Sequence, residues 1–317
     1  MLNPVLSTAI RVVKNARDVK INRNKTEELA KKWAKKIAIP KIPENLPLET
    51  KNQKMILDYL IMLDSINFCF WSKKDKWYIP YKGKEYDGYF ALSLSLKRFF
   101  EDNPNKANLE YFSKISFKEF SKILKGRGEL QFLKKRWQIV RKVSSVLIKK
   151  YGDSINFVLS ARGRFSILVP KISKELPFFN DTSYYSGQKV YFYKRSQILS
   201  SDICSSLSGK GLGFFKDPGY LTAFADYKLP QILKFFGVLE YSIALERKIK
   251  NKIIIPAGSK QEVEIRSATV LAVEYLRKAL LKLGKNLSSS QIDWILWVKT
   301  QEIKIESPYH LTRTIYY

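Results

Sequence analysis

The sequence predicts a mainly α-helical protein carrying one small antiparallel β-hairpin. Apolar residues recur at helical spacing through most of the chain. One pair of segments, "WYIPY" and "KEYDGYF" around Lys82-Gly83, has the composition and turn chemistry of a hairpin. With 317 residues, 45% of them hydrophobic and 14% aromatic, the chain can bury one sizeable core or two lobes that share an interface.

The elements follow in order. "NPVLSTAIRVVKNA" and "KTEELAKKWAKKIA" read as helices, and "IPKIPENLPLET", with Pro40, Pro43 and Pro47, reads as a loop. A helix through "KMILDYLIMLDSINF" runs into the aromatic box "NFCFW". The hairpin comes next, followed by a helix from about Ala91. "SFKEFSKILKGRGEL", "FLKKRWQIVRKVSSVLIKKYG" and "SINFVLSARGRFSILVPKISKELP" continue as amphipathic helices. "GQKVYFYKRSQILSSDICSSLS" begins extended and turns helical, and helices fill the remainder up to the aromatic tail "RTIYY".

The formal charge of +28 favours an anionic partner: a nucleic acid, an anionic membrane or a phosphorylated small molecule. A lysine-decorated surface without functional meaning is the plain alternative. Cys69 and Cys204 stand far apart in apolar contexts, and His310 is the one histidine. No metal-ligand spacing or nucleophile–histidine pair can be built from these residues. Two cysteines without a framework indicate a reducing compartment. The opening residues lack the apolar stretch of a secretory signal, and no apolar run approaches the roughly 20 residues of a membrane span.

Several motifs could carry chemistry, each beside a plainer reading. "GKGLG" (Gly209 to Gly213) matches neither nucleotide-loop fingerprint and reads better as a turn. The charges of "FLKKRWQIVRK" suit a solvated helix face. "NFCFW" is either core or a wall against which a planar base stacks, and Asn67 and Trp71 carry polar atoms that need partners if buried. In "YFYKRSQIL", Lys194 and Arg195 are adjacent, so at most one faces inward easily, and a buried lysine requires an anion. The segment "LTAFADYKLPQILKFFG" sets Asp226 inside an apolar, aromatic run. Asp226 can cap the helix that follows, with Pro230 tolerated in its first turn. Walled by Phe224 and Tyr227, it is equally placed to act as nucleophile, base or cation stabiliser.

From Asp226 to Gly237-Val238 the pattern resembles the catalytic turn of helix-hairpin-helix DNA glycosylases. A wider likeness is more specific. "NFCFW", "YKGKEYDGYFAL", "VYFYKRSQIL", "LTAFADYKLPQIL", "QEVEIR" and "TRTIYY", in order from about "KNARDVKI" to Tyr317, resemble the queuosine salvage family of queuosine 5′-phosphate N-glycosylases. The resemblance implies a DNA-glycosylase-like helical fold over residues 1–317. We expect a single domain with helical lobes at about 1–125 and 126–317 and the active site between them. It implies hydrolysis of queuosine 5′-monophosphate, releasing queuine for salvage into tRNA modification.

Carried over by motif, Asp226 of "FADY" is the catalytic carboxylate and Lys194 of "FYKR" its active-site partner. The family's usual "FADYR" reads "FADYK" here, so Lys228 replaces an arginine and cannot make a planar bidentate contact to phosphate. Asn67, Phe68, Phe70, Trp71 and Tyr227 are expected around the substrate. Asp202 joins them, and Lys228 and Arg313 are expected on the 5′-phosphate.

Departure of the base leaves an oxocarbenium-like ribose, whose charge a fixed carboxylate stabilises. Queuine is a 7-deazaguanine and lacks the N7 that many purine glycosylases protonate. Lys194 could donate toward the base; we favour its pairing with Asp226, which keeps the carboxylate ionised. No metal or organic cofactor is implied. The expected protein is a cytoplasmic monomer acting on a free nucleotide, with no stable nucleic-acid partner and no membrane. Two rivals stand beside this reading: a glycosylase acting on nucleic-acid bases, and a non-enzymatic nucleic-acid-binding module in which Asp226 only caps.

Overall fold

The computed structural model describes residues 3–43 and 46–317, and two buried helices organise it. In Gln53–Ser65 every position from Leu57 to Ser65 is buried, Asp58 and Asp64 included. In Lys260–Lys282 the buried run extends from Glu262 to Glu274. A helix buried on every side needs neighbours on every side. The first is surrounded by Gly88–Asp102, Leu133–Tyr151, Ser154–Leu159 and Lys194–Ser206. Around the second lie Pro4–Lys14, Arg23–Ala34, Lys228–Phe235 and Ser289–Glu302. Mainly helical architecture is therefore observed, as expected.

The expected hairpin forms between Tyr78–Tyr81 and Lys84–Asp87. Lys82 and Gly83 both take the left-handed backbone that a two-residue hairpin turn requires. The structure adds two further antiparallel pairings. Thr182–Tyr185 pairs with Gln188–Tyr191 across Ser186-Gly187, also left-handed at both positions. Val19–Ile21 pairs with Leu239–Tyr241, Val19 opposite Tyr241 and Ile21 opposite Leu239. No local turn announces that third pairing, because its strands are more than 200 residues apart.

The main apolar cores draw on stretches far apart in the chain. One apolar core gathers the central stretch from Leu46 to Leu221, joined by Tyr227, Leu311 and Tyr317. The other joins the N-terminal segment, Val19 to Trp33, to the stretch from Ala223 to Leu296. Between Leu221 and Leu229 the chain alternates between these cores, with Leu221 and Tyr227 packed in the first and Ala223 and Leu229 in the second.

Inside the first core, Phe100 and Phe112 are fully buried and stack at 5.7 Å with a 19° interplanar angle. Phe112→Ala is predicted to lower the unfolding free energy by about 3–5 kcal/mol. Urea unfolding measures this, and a loss below about 1 kcal/mol, the scale of an ordinary surface change, would contradict it.

Candidate active site

The passage between the cores opens onto a cavity of about 670 Å³. Its walls come from Ile39 to Ile42 and Leu46 to Thr50 of the expected proline-rich loop, whose residues 44 and 45 lie outside the described residues, from the helices Gln53–Ser65, Gly88–Asp102, Lys194–Ser206 and Ser289–Glu302, and from Phe224 to Lys228.

Asp226 stands where extended chain becomes the helix Lys228–Phe235. Its Oδ1 accepts the backbone N–H groups of Lys228 at 2.8 Å and Leu229 at 2.9 Å. The aspartate thus caps the helix from one residue before the formal cap position, Tyr227, and satisfies two first-turn donors. Oδ2 accepts no hydrogen bond among the described residues, and Asp226 lines the cavity at 9% exposure. Burial raises its pKa above the ordinary carboxylate range, against the pull of Lys194 and the two N–H donors.

Lys194 opens the helix Lys194–Ser206 after Tyr193, which is left-handed at φ 51°. Its backbone N–H donates to Asp181 Oδ2 at 3.1 Å, and its Nζ donates to the Asn67 carbonyl at 3.3 Å. Burial lowers its pKa, while Asp226 and Asp64 work in the opposite direction. Lys194 and Asp226 feel each other's charge across the cavity, but no ion pair within 4 Å joins them among the described residues. The two charges therefore act on each other through space rather than through a contact. Arg195 is buried too, but turns away and donates to the carbonyls of Ser65 and Phe178.

One guanidinium braces both candidates. Arg266 donates to both oxygens of Asp181, at 2.8 and 2.7 Å, and through Nε to the Ala225 carbonyl at 3.2 Å. It thereby grips the residue next to Asp226 and the carboxylate that holds the Lys194 backbone. Burial works against its charge, but Asp181 and Glu262 outweigh burial and raise its pKa.

Asn67, Phe68 and Phe70 line the cavity, and Asn67 Nδ2 donates to Asp64 Oδ1 at 3.3 Å. Beneath them lies Arg136, wholly buried, whose guanidinium sits 4.2 Å from the Phe68 ring centroid and donates to the carbonyls of Ile66, Phe68 and Cys69. Burial brings Arg136 down to about 9. Tyr227 faces Tyr309 at 4.7 Å, and Lys228 Nζ lies 5.1 Å from the centre of the same ring. Asp202 also lines the cavity, and burial lifts it to about 7 against the opposing charge of Lys194.

Two expected site residues fall elsewhere. Trp71 is only 3% exposed, lies outside the cavity lining and donates its indole N–H to the Thr312 carbonyl at 3.2 Å. Its polar atom finds its partner in the core. Arg313 is exposed, also outside the lining, with its guanidinium 4.8 Å from the Phe132 ring centroid. The cavity instead brings Lys76 beside Lys228, with Lys76 Nζ 3.2 Å from Asp87 Oδ2.

Sequence reasoning missed Asp293, Trp294 and Trp297. Asp293 accepts the Phe224 N–H at 2.7 Å and lines the cavity; burial raises its pKa, and the like charge of Asp226 adds to the rise. Trp294 and Trp297 stack at 5.5 Å and 13°, and both line the cavity. "IDWILW" carried the same signal as "AFADY", a carboxylate within an apolar aromatic run. His310 is buried near Arg266, and burial takes it down to about 3, so it stays neutral. No cluster of three or more potential metal-ligating residues occurs among the described residues.

A family model described as queuosine salvage protein matches residues 47–317. A queuosine 5′-phosphate N-glycosylase/hydrolase of Sphaerobacter thermophilus is 39% identical over 315 residues, covering 99% of this chain and 97% of the relative. Relatives with the same description occur in Dictyostelium discoideum, 36% identical with 85% and 80% of the two chains covered, and in Mus musculus, 31% identical with 96% of each covered.

Arg266→Met is predicted to lower the unfolding free energy by about 3–5 kcal/mol, because Asp181 and Glu262 would stay buried without their counter-charge. Urea unfolding tests this, and an unchanged midpoint would show that the pair does not brace the site.

Proposed function

The chain belongs to the queuosine salvage protein family, and from that premise we propose that it hydrolyses the N-glycosidic bond of queuosine 5′-phosphate. The products are free queuine and ribose 5-phosphate. The observation that carries this reading is the division of labour within Asp226: one oxygen caps a helix and the other is left free in a cavity of nucleotide size.

In this mechanism the carbon–nitrogen bond breaks, its electron pair leaves with the base, and positive charge grows on the ribose. The base takes a proton from Lys194, and the proton gained by Asp226 replaces it. The free Asp226 oxygen stabilises that charge and takes a proton from the water that bonds to C1′. Capping helps here, because an aspartate pinned by two backbone donors cannot rotate away from the sugar. Lys194 holds Asp226 ionised through space, and its position beside the Asn67 carbonyl leaves its ammonium able to donate toward the departing base. Such help suits a leaving group without N7. The 5′-phosphate is taken by Lys228 with Lys76 rather than Arg313, since both lysines line the cavity. Two separated ammonium charges replace the forked contact that an arginine would make. Phe68, Phe70, Trp294 and Trp297 supply aromatic surface for the base.

We assign this activity to a cytoplasmic monomer acting on the free nucleotide, without metal, organic cofactor or stable nucleic-acid partner. The two free cysteines support a reducing compartment.

Asp226→Asn tests the reading, because asparagine caps about as well as aspartate but carries no charge. The variant is expected to melt close to the wild type and to lose at least roughly a hundredfold in hydrolysis of queuosine 5′-phosphate, read as queuine released on chromatography. Equal release by both proteins would return Asp226 to capping alone. The pH profile gives a second check. Asp226 must be ionised and burial makes ionisation harder, so the acid limb of kcat/KM is expected above the range of an ordinary aspartate. Lys194 must be protonated and burial makes the proton easier to lose, so the alkaline limb is expected below that of an ordinary lysine. A profile without these two limbs would remove both assignments.

A further inference from the structure

The proposed reaction makes no use of "TRTIYY", yet Tyr317 of that segment is 2% exposed and lines the cavity. Its three parts touch three elements of the site. The carbonyl accepts the Cys69 N–H at 2.9 Å, which ties it to the "NFCFW" wall, where Cys69 is left-handed at φ 46°. The ring centroid lies 4.4 Å from the Arg266 guanidinium, and the Phe192 ring centroid lies 3.9 Å from it. The hydroxyl donates to Glu262 Oε1 at 2.9 Å.

Glu262 is a second carboxylate within reach of Arg266, with Oε1 3.6 Å from Nη1. That separation is an ion pair but too long for a hydrogen bond. Glu262 takes its hydrogen bonds from elsewhere: the Tyr317 hydroxyl on Oε1, and the Gly258 N–H on Oε2 at 3.0 Å. His310 Nε2 lies 3.4 Å from the Tyr317 hydroxyl and, being neutral, brings no rival charge. With Glu262 satisfied, Arg266 commits its fork to Asp181 and its Nε to the Ala225 carbonyl. Without the hydroxyl, Oε1 of a buried carboxylate would lose its donor, and Arg266 Nη1 is the cation at hand to replace it. Taking up that bond would draw the fork away from Asp181, whose Oδ2 holds the Lys194 N–H, and from Ala225, next to Asp226.

We propose that Tyr317 is a positioning residue for Asp226 and Lys194, acting through one O–H: by satisfying Glu262 it keeps Arg266 on Asp181 and Ala225. The inference rests on the hydrolytic reading and adds to it a residue that acts through another. Tyr317 sets the geometry of the reacting groups, while Asp226 and Lys194 carry the chemistry.

The test is a cycle of Tyr317→Phe, Glu262→Gln and the double variant, with kcat and KM for queuosine 5′-phosphate and urea unfolding measured on each. Tyr317→Phe keeps a ring beside Arg266 and removes the hydroxyl alone. In the wild-type background it is expected to lower kcat by roughly tenfold or more with KM close to wild type, because the displaced groups serve the reacting bond. Glu262→Gln removes the charge that competes for Arg266. Adding Tyr317→Phe to that variant is therefore expected to cost less than about twofold in kcat, the scatter of independent changes. Equal losses in the two backgrounds, or an unchanged kcat in folded Tyr317→Phe, would overturn the proposal. If Tyr317→Phe does not fold alone, the double variant against Glu262→Gln decides: matching kcat values uphold the role, and a kcat roughly tenfold lower overturns it. A folded wild type that releases no queuine would instead remove the hydrolytic reading, and the positioning role with it.

Discussion

The Arg266–Asp181 pair is the interaction on which the site's geometry depends. Three of the arginine's donors are engaged at once, two on the carboxylate and one on the Ala225 carbonyl. Asp181 in turn receives the Lys194 N–H, and its carbonyl receives the N–H groups of Phe192 and Tyr193. One guanidinium therefore fixes the spacing between the start of the Lys194 helix and the chain entering the Asp226 cap. A lysine could supply the charge but not the planar fork that sets direction as well as distance. Because the arginine comes from the central helix of the second core, the brace ties the site to the most deeply buried part of that core.

Two further buried arginines do comparable work on the opposite wall. Arg136 and Arg195 hold the carbonyls that follow the Gln53–Ser65 helix, from Ser65 to Cys69, and sit 4.2 and 5.2 Å from the Phe68 ring centroid. Unlike Arg266, neither has a salt-bridged carboxylate within 4 Å among the described residues, and burial lowers both pKa values. Their neighbours are helix-end carbonyls, the partially negative groups that a helix C-terminus leaves unpaired. The resulting wall is rigid where it presents Asn67 and aromatic where a base would lie.

The cavity joins two electrostatic regimes. Burial pushes Asp226, Asp202, Asp293 and Asp64 toward their neutral forms, while the lysines facing them favour the ions. A desolvated site of this kind makes each remaining charge more effective on a bound cation or anion, since little water intervenes to screen it.

How much of this could be read from the chain varies residue by residue, and for physical reasons. Asp226 was conspicuous because a carboxylate in an apolar run must be paired, capped or functional, and a following Pro230 located the helix start. The Lys82-Gly83 hairpin was equally plain, since its turn is encoded by adjacent residues. Trp71 and Arg313 carried suitable chemistry, but whether a side chain faces a cavity or a neighbouring carbonyl depends on packing across long distances in the chain. Asp293 and Lys76 went unrecognised for the same reason, and so did the pairing of Val19–Ile21 with Leu239–Tyr241. By itself the sequence determined the helical class, the polar residues set within apolar runs and the local cap that holds Asp226. Only the tertiary structure decided which of those groups share a cavity, because periodicity and capping act within a few residues while Arg266, Asp181 and Ala225 meet only when distant segments pack together.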